Sequence, residues 1–319
     1  MPAFRIMALA GAALLAASSG AVAQNYPAQR VTIVVPFSAG SITDGLARII
    51  ADKLGEMWKQ QVIVENKPGI PGTTSVAKSA PDGYTLMLTS NGHTIAQAIT
   101  KTLQYDPVKD FAGVTQVASV PLVAIVPPEL PVKTLKEFID LAKAKPGTLN
   151  FSSAGVASTS FLSAEIFRQQ ANINMLHVPF RGAPEATTAV VRGDVQLYFS
   201  PIPISKDLAT TNKVRAIAIN SSKRVPQLPD VPTIAEAAVP GYKYDSWFAV
   251  FAPAGTPKAI LDKASHDIAA VLKMNDVVEK LVAQGSLPVT TTPEELDTIN
   301  KNDTARYLKL LKDAGVQPQ

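Results

Sequence analysis

Val31-Thr32-Ile33-Val34-Val35 is an unbroken, largely β-branched run that stops at Pro36. A strand buried on both faces, as in a parallel sheet covered by helices, has this pattern. After the segment Phe37 to Thr43, Leu46, Ile49, Ile50, Leu54 and Met57 recur at helical spacing. Val62-Ile63-Val64 predicts a second strand, and Asn66 to Gly72, punctuated by Pro68 and Pro71, predicts a loop. Thr85-Leu86-Met87-Leu88 predicts a third strand ending in the polar stretch Thr89-Ser90-Asn91-Gly92, and Val123 to Val126 a fourth.

The same alternation continues. Thr134 and Glu137 form a capping-box pattern that opens a helix. Phe151 lies in a short strand that ends at Ser152-Ser153-Ala154-Gly155, and a helix follows from about Ser158 to Gln169. His177-Val178-Pro179 leads into Phe180-Arg181-Gly182, and Pro184 starts another helix. Val214 to Ile219 and Trp247 to Phe251 predict strands. Helices are expected over Pro257 to Met274, over Asp276 to Gln284 with Gly285 beyond the end, and after a capping box at Thr292 and Glu295. Strands alternating with helices give an α/β fold with mostly parallel sheets. Two similar strand-end loops, near residues 37 and 153, suggest two α/β lobes. Ligands bind outside the carboxyl ends of such strands, so the expected site is the cleft between the lobes.

The length of 319 residues agrees with two domains. There is no cysteine, which excludes disulfides, thiolate nucleophiles and Cys-based metal sites. The three histidines, His93, His177 and His266, make a His-rich metal site a poor reading. Net charge is +4, but the charges are interspersed, so no nucleic-acid footprint is expected. Residues 1–23 read as a cleaved signal peptide: Arg5, an apolar run of 12 from Ile6 to Ala17, and Ala21-Val22-Ala23 as the cleavage site. The mature chain would begin at Gln24, exported and soluble, in the periplasm of a two-membrane host.

The candidate chemistry is anion binding. Phe37, Ala39, Gly40, Ser41, Thr43 and Asp44 join a strand end to a helix start, where backbone N–H groups and the positive helix end favour a carboxylate or phosphate. Asp44 taken alone is better explained as an N-cap that also pairs with Arg48. Ser153, Ala154, Ser158 and Thr159 repeat the design in the second half, again with a simple Ser/Thr cap as the alternative. Thr89, Ser90, His93, Phe180, Arg181 and Asp194 complete the candidate ligand-binding set. Backbone N–H groups of Ala39 to Thr43 and Ala154 to Thr159 are expected around the anion, with the Ser158 and Thr159 hydroxyls bonding it directly. No catalytic residues, metal or cofactor are assigned, since no nucleophile elbow, Walker loop or dinucleotide fingerprint is present. The alternative is an exported hydrolase of an ester or amide of an organic acid, which needs a nucleophile, a base and an orienting carboxylate.

Taken in order, "YPAQRVTIVVPFSAGSITDGLAR", "VENKPG", "SAPDGYTL", "HVPFRGAPEA", "LPDVPTIAEA" and "SWFAVFAPAGTP" resemble the periplasmic receptors of tripartite tricarboxylate transporters, the Bug receptors. The resemblance implies a type II periplasmic binding protein fold with a ligand enclosed between two lobes, placed at 26–125 plus 245–319 and at 126–244. It implies capture by hinge closure of an organic anion: a dicarboxylate, a tricarboxylate, an acidic amino acid or an aromatic acid. The implied partner is a set of membrane permease subunits that read the closed form of a monomeric receptor, with a sensor as the alternative. Ser41 replaces a second glycine usual in that family, and Ala157 and Phe161 stand where it often has Gly and His. A ligand-facing Phe161 would favour a less polar or aromatic carboxylate; a core-facing one would not.

Overall fold

The computed structural model describes residues 26–155, 158–242, 244, 246–313, 315 and 318; the signal-peptide assignment, Gln24 and Ala157 lie outside them. The elements run β1 (Val31–Val35), α1 (Ile42–Trp58), β2 (Val62–Asn66), α2 (Ile70–Ala77), β3 (Thr85–Ser90), a 3-10 turn (Asn91–Ile95) and α3 (Ala96–Ile99). Then come β4 (Phe111–Ser119), β5 (Leu122–Val126), α4 (Leu135–Ala144), β6 (Asn150–Ser153), α5 (Thr159–Gln170), β7 (Leu176–Pro179) and α6 (Ala183–Val191). The rest are β8 (Leu197–Pro201), α7 (Ile202–Thr210), β9 (Arg215–Ile219), α8 (Ile234–Ala237), β10 (Trp247–Pro253), α9 (Lys258–Val271), α10 (Asn275–Ala283), β11 (Leu287–Pro288) and α11 (Pro293–Asp313).

These strands form two sheets. The first has the order β11-β4-β10-β3-β1-β2 and the second β7-β6-β8-β5-β9. In β1, Val31, Ile33 and Val35 pack into one apolar cluster and Val34 into another, so the strand is buried on both faces as its pattern requires. The cluster on the α1 side continues through Val120 and Leu122 into the second sheet, where it takes in Phe151, Phe167 and Phe199. The other face of the second sheet is closed by Val123, Ile125, Val190 and Tyr198. The capping boxes at Thr134 and Thr292 form as read, each Glu carboxylate returning to its N-cap N–H.

Several expectations change. The loop expected over Asn66 to Gly72 ends early, because α2 starts at Ile70 with Pro71 in its first turn, a position where a missing N–H costs nothing. Strands β4 and β8 and helix α7 have no counterpart in the sequence reading. The lobe boundary drawn at 125/126 falls inside β5, which pairs with β8 and β9 in the second sheet. The crossover is therefore Val120-Pro121. It lies beside the returning chain: Val120 N–H donates to Ser246 O at 3.0 Å, and the Ser246 hydroxyl donates to Val120 O. On the second-sheet side, Leu122 N–H donates to Asn220 Oδ1 at 2.7 Å and Asn220 N–H to Leu122 O at 3.0 Å. Two pairs of hydrogen bonds thus flank Pro121. The carboxyl ends of β1 and β3 share an edge with Ser119 and Trp247, and those of β6 and β8 share one with Leu122 and Ile219. The crossovers join these two edges, so the strand-end loops of both sheets open toward one cleft.

Candidate functional site

The loop after β1 is organised around Asp44, whose side chain is only 6% exposed. Ser41, not Asp44, is the N-cap of α1: its Oγ accepts the Asp44 N–H at 3.2 Å. The Asp44 carboxylate reaches backward and sideways. Oδ2 accepts from Gly40 N–H at 2.8 Å and Arg48 Nε at 3.1 Å; Oδ1 accepts from Asn66 Nδ2 at 3.0 Å and lies 3.0 Å from Arg48 Nη2. Burial pushes the Asp44 pKa up, but Arg48, the Gly40 N–H and Asn66 together outweigh it and hold it below the usual carboxylate range. With both oxygens engaged, Asp44 builds the loop. Gly40 has φ +79°, the left-handed turn that points its N–H at Asp44.

This accounting narrows the expected anion donors. The Gly40 N–H goes to Asp44, and the Ser41 N–H to Ser38 O at 3.2 Å. Ile42 and Thr43, in the first turn of α1, have N–H groups with no acceptor among the described residues, as helix starts do. Ala39 is exposed and Phe37 half-buried, its carbonyl accepting from Asn66 Nδ2 at 3.2 Å.

The second loop is braced in the same manner by three serines. Ser153 Oγ accepts the Gly155 N–H at 3.1 Å and lies 2.7 Å from His177 Nε2. Ser158 is the N-cap of α5, accepting from Phe161 N–H at 3.2 Å and donating to Gly155 O at 2.6 Å. Ser160 Oγ accepts the Ala154 N–H at 3.1 Å. The N–H groups of Ala154, Gly155 and Ser158 are therefore spent within the loop, the last on Gly155 O at 3.0 Å. The Ser158 hydroxyl is a cap, not the expected direct donor. What remains are the N–H groups of Thr159 and Ser160 and the half-buried Thr159 hydroxyl, which take no partner among the described residues. Phe161 is core-facing: it is 2% exposed, and its ring centroid lies 4.8 Å from that of His177.

The other candidates divide. Thr89 and Ser90 are buried at the end of β3, and Ser90 Oγ accepts the Gly92 N–H at 3.3 Å. His93 leaves the cleft: it is 5% exposed, bonds Pro107 O at 2.9 Å, and packs against Tyr105, Phe111 and Phe251. Burial depresses its pKa to about 4, so it is neutral near pH 7. Phe180 is half-buried and Arg181 exposed at the carboxyl end of β7, on the cleft rim; Phe180 N–H donates to Ser153 O at 2.9 Å. Asp194 is exposed at the opposite end of the sheet, before β8, where Gln196 N–H meets Asn150 O at 3.0 Å, so it does not belong to this site.

Sequence reading missed Asn66, Asn91 and Tyr244. Asn66 stood in plain view in "VENKPG", but nothing in one sequence pairs it with Asp44. Asn91 Nδ2 donates to the Tyr244 hydroxyl at 3.0 Å, and that hydroxyl donates to Thr159 O at 3.2 Å. This chain ties the end of β3, the neighbour of β1, to the start of α5. Two surface hollows, of about 530 Å³ beside Lys258 and His266 and about 490 Å³ beside Arg215 and Leu228, include none of these loop residues. No group of three or more acidic or histidine side chains is placed to hold a metal ion among the described residues.

Residues 46–316 match the family model described as "Tripartite tricarboxylate transporter family receptor". Protein BugT of Bordetella pertussis is 33% identical over 322 residues, covering 98% of each chain. Among solved structures, Rpa4515 of R. palustris with adipate superposes with a TM-score of 0.80 at 34% identity, covering 92% of this chain and 100% of that one. MatC of Rhodopseudomonas palustris with bound malate gives 0.76 at 32% identity, over 90% and 100%.

Proposed function

Because this chain belongs to the tripartite tricarboxylate transporter family of solute-binding receptors, we propose that it captures a small organic carboxylate between its two sheets and presents it to membrane permease subunits. One observation carries the reading. In each strand-end loop the inner N–H groups are consumed by Asp44 or by serines, while first-turn N–H groups of α1 and α5 remain unclaimed at the same cleft. Two helix starts with free N–H groups suit an acid with a carboxylate at each end. The adipate and malate named for the two similar structures are both dicarboxylates. Lobe 1 is Tyr26 to Ser119 with Trp247 onward, and lobe 2 is Leu122 to Asn220. They close about Pro121 and the Val120–Ser246 pair, and the ligand holds them shut by touching both. Residues 1–23 direct export to the periplasm, where the receptor works as a monomer. Among the described residues no helix is long and apolar enough to cross a membrane.

Among the described residues, the Ser153–His177 contact is the feature that a hydrolase would share. It does not make one: Ser153 is fully buried, its Oγ already takes the Gly155 N–H, and no carboxylate bonds the imidazole among the described residues.

A melting screen over adipate, malate, glutamate, benzoate and citrate tests the reading. An acid at 100 times its dissociation constant adds about 2.7 kcal/mol, a rise of several degrees. If none of these acids moves the transition while a sugar or neutral amide does, the carboxylate reading fails. Arg181 is expected to act from the rim. In Arg181→Ala the association rate of the acid falls a few-fold at low salt and little at high salt, with dissociation unchanged. Stopped-flow binding at two ionic strengths measures this; a large change in dissociation rate instead would put Arg181 in contact with the ligand.

A further inference from the structure

We propose that His177 is a positioning residue for the second ligand loop, acting through Ser153 on Gly155. The proposal rests on the binding role given above to the residues that follow β6. The geometry begins in the sheet. β6 and β7 are parallel neighbours with Phe151 opposite His177 and Ser153 opposite Pro179. Side chains alternate along a strand, so Phe151, Ser153 and His177 share one face. On that face α5 lies over the sheet and supplies Phe161. The imidazole is held between two rings, 4.9 Å from Phe151 at 22° and 4.8 Å from Phe161 at 45°. That clamp aims Nε2 along the strand toward Ser153, 2.7 Å away, at the point where the chain leaves the sheet.

Hydrogen-bond saturation fixes which way the proton points. Ser153 Oγ is fully buried and already accepts the Gly155 N–H at 3.1 Å. Its own proton needs an acceptor, and among the described residues only His177 Nε2 stands within reach. So Ser153 donates to Nε2, and His177 carries its proton on Nδ1. The relay has a direction: imidazole orients hydroxyl, and hydroxyl orients the Gly155 amide. Gly155 sits at φ +108°, a conformation open to glycine and avoided by L side chains, and the Ser153 hydroxyl is the partner its N–H finds there. The Gly155 carbonyl is in turn the acceptor for both the Ser158 hydroxyl and the Ser158 N–H. The N-cap of α5, and with it the first-turn N–H groups of Thr159 and Ser160, thus hangs from a histidine on the neighbouring strand. His177 itself need not touch the ligand.

The test uses the full mature protein and has two arms. In the first, without any acid, amide exchange at Gly155 is followed by NMR in wild type, His177→Phe, Ser153→Ala and the double variant. His177→Phe keeps a ring between Phe151 and Phe161, so the protein should fold, with its melting temperature lowered by the few degrees that one unpaired buried hydroxyl costs. Gly155 exchange should accelerate about tenfold in each single variant, as expected when one hydrogen bond of ordinary strength is lost. The double variant should exchange no faster than Ser153→Ala alone, and His177→Gln, whose side-chain amide can restore an acceptor, should recover slow exchange. Nitrogen NMR of the wild-type imidazole should show Nε2 unprotonated. Wild-type exchange in His177→Phe, a double variant in which the two effects add, or a proton on Nε2 would each overturn the proposal. In the second arm adipate affinity is measured. If adipate binds wild type, both single variants should bind it about tenfold more weakly and His177→Gln should be restored; unchanged affinity with fast Gly155 exchange would remove the loop's role in binding. If wild type binds no acid at all, the carboxylate reading fails, and the exchange arm still decides whether the relay exists.

Discussion

Lowering the pH from 6.5 to 4 should remove roughly 3 kcal/mol of folding stability through His93 alone. The imidazole lies under Tyr105, Phe111 and Phe251, and burial, opposed weakly by the bond to Pro107 O, depresses its pKa from 6.5 to about 4. With Nε2–H donating to Pro107 O, Nδ1 carries the lone pair, and it is buried with no partner among the described residues. A proton added there would have no acceptor. The unfolded chain takes up that proton near pH 6.5 and the native chain only near 4, so the unfolded state binds more protons between the two. Stability is therefore full above pH 6.5 and lost as the pH falls toward 4. His177, also depressed by burial, adds in the same direction. His93→Phe isolates the effect. Pro107 O keeps its bond from Asn300 Nδ2 at 2.8 Å, so the substitution should cost under about 1 kcal/mol at pH 7. Urea unfolding of both proteins at pH 7, 5.5 and 4.5 gives the comparison; parallel curves for the two would show that His93 is not the titrating group.

Asp44→Ala should destabilise the protein by about 3 kcal/mol and weaken carboxylate binding at least tenfold. Three hydrogen bonds, from Gly40, Arg48 and Asn66, and an ion pair with Arg48 end on this carboxylate. Arg48 is about half exposed and recovers its solvation when released, which keeps the loss at the lower end for a buried pair. The exposed Gly40 N–H can return to water and Asn66 Nδ2 keeps the Phe37 carbonyl, so the larger part of the loss is the loosened turn that leads into α1. Thermal unfolding and calorimetry with adipate separate two roles. A structural latch loses stability and affinity together, whereas a direct ligand contact would lose affinity with a wild-type melting curve. The folded pKa of Asp44 is lowered, so its contribution is present above the unfolded value near 3.8 and is lost only as the pH falls below that. Its window lies under that of His93, and the two can be told apart on one pH series.

The strands and helices legible in the sequence were those whose pattern owes little to distant partners. β1 is a β-branched run, α4 and α11 open with capping boxes, and the Thr159–Gln170 helix follows a serine cap. Strand β4 escaped notice because Thr115 and Gln116 interrupt its apolar residues; in the fold the Thr115 hydroxyl donates to Thr291 O and the Gln116 N–H to Thr291 Oγ1, partners far away in the sequence. α2 hid behind Gly69 and Pro71, which mark a helix start as readily as a loop. The cleft and its two loops were visible as small-residue turns between strand and helix. The roles within them were not. Whether Asp44 or Ser158 serves a ligand or the backbone depends on where Gly40, Asn66 and Gly155 stand, and those positions are set by register and tertiary packing. The candidate loops came from the strand-to-helix turns, and hydrogen-bond accounting reassigned the donors within them.

The place of β10 has a consequence for the order in which the protein can be assembled. It lies between β3 and β4, antiparallel to both, yet it is made after the whole of the second sheet. As the chain emerges from the ribosome, all five strands from β5 to β9 are present by Ile219, so that half has every partner it needs. The first half does not: until Pro253 has been added, β3 exposes an unpaired edge and β4 has no strand partner on either side, because its other neighbour, β11, comes later still. The half that begins first is thus the half that finishes last, held open by a strand encoded more than a hundred residues downstream of its neighbours.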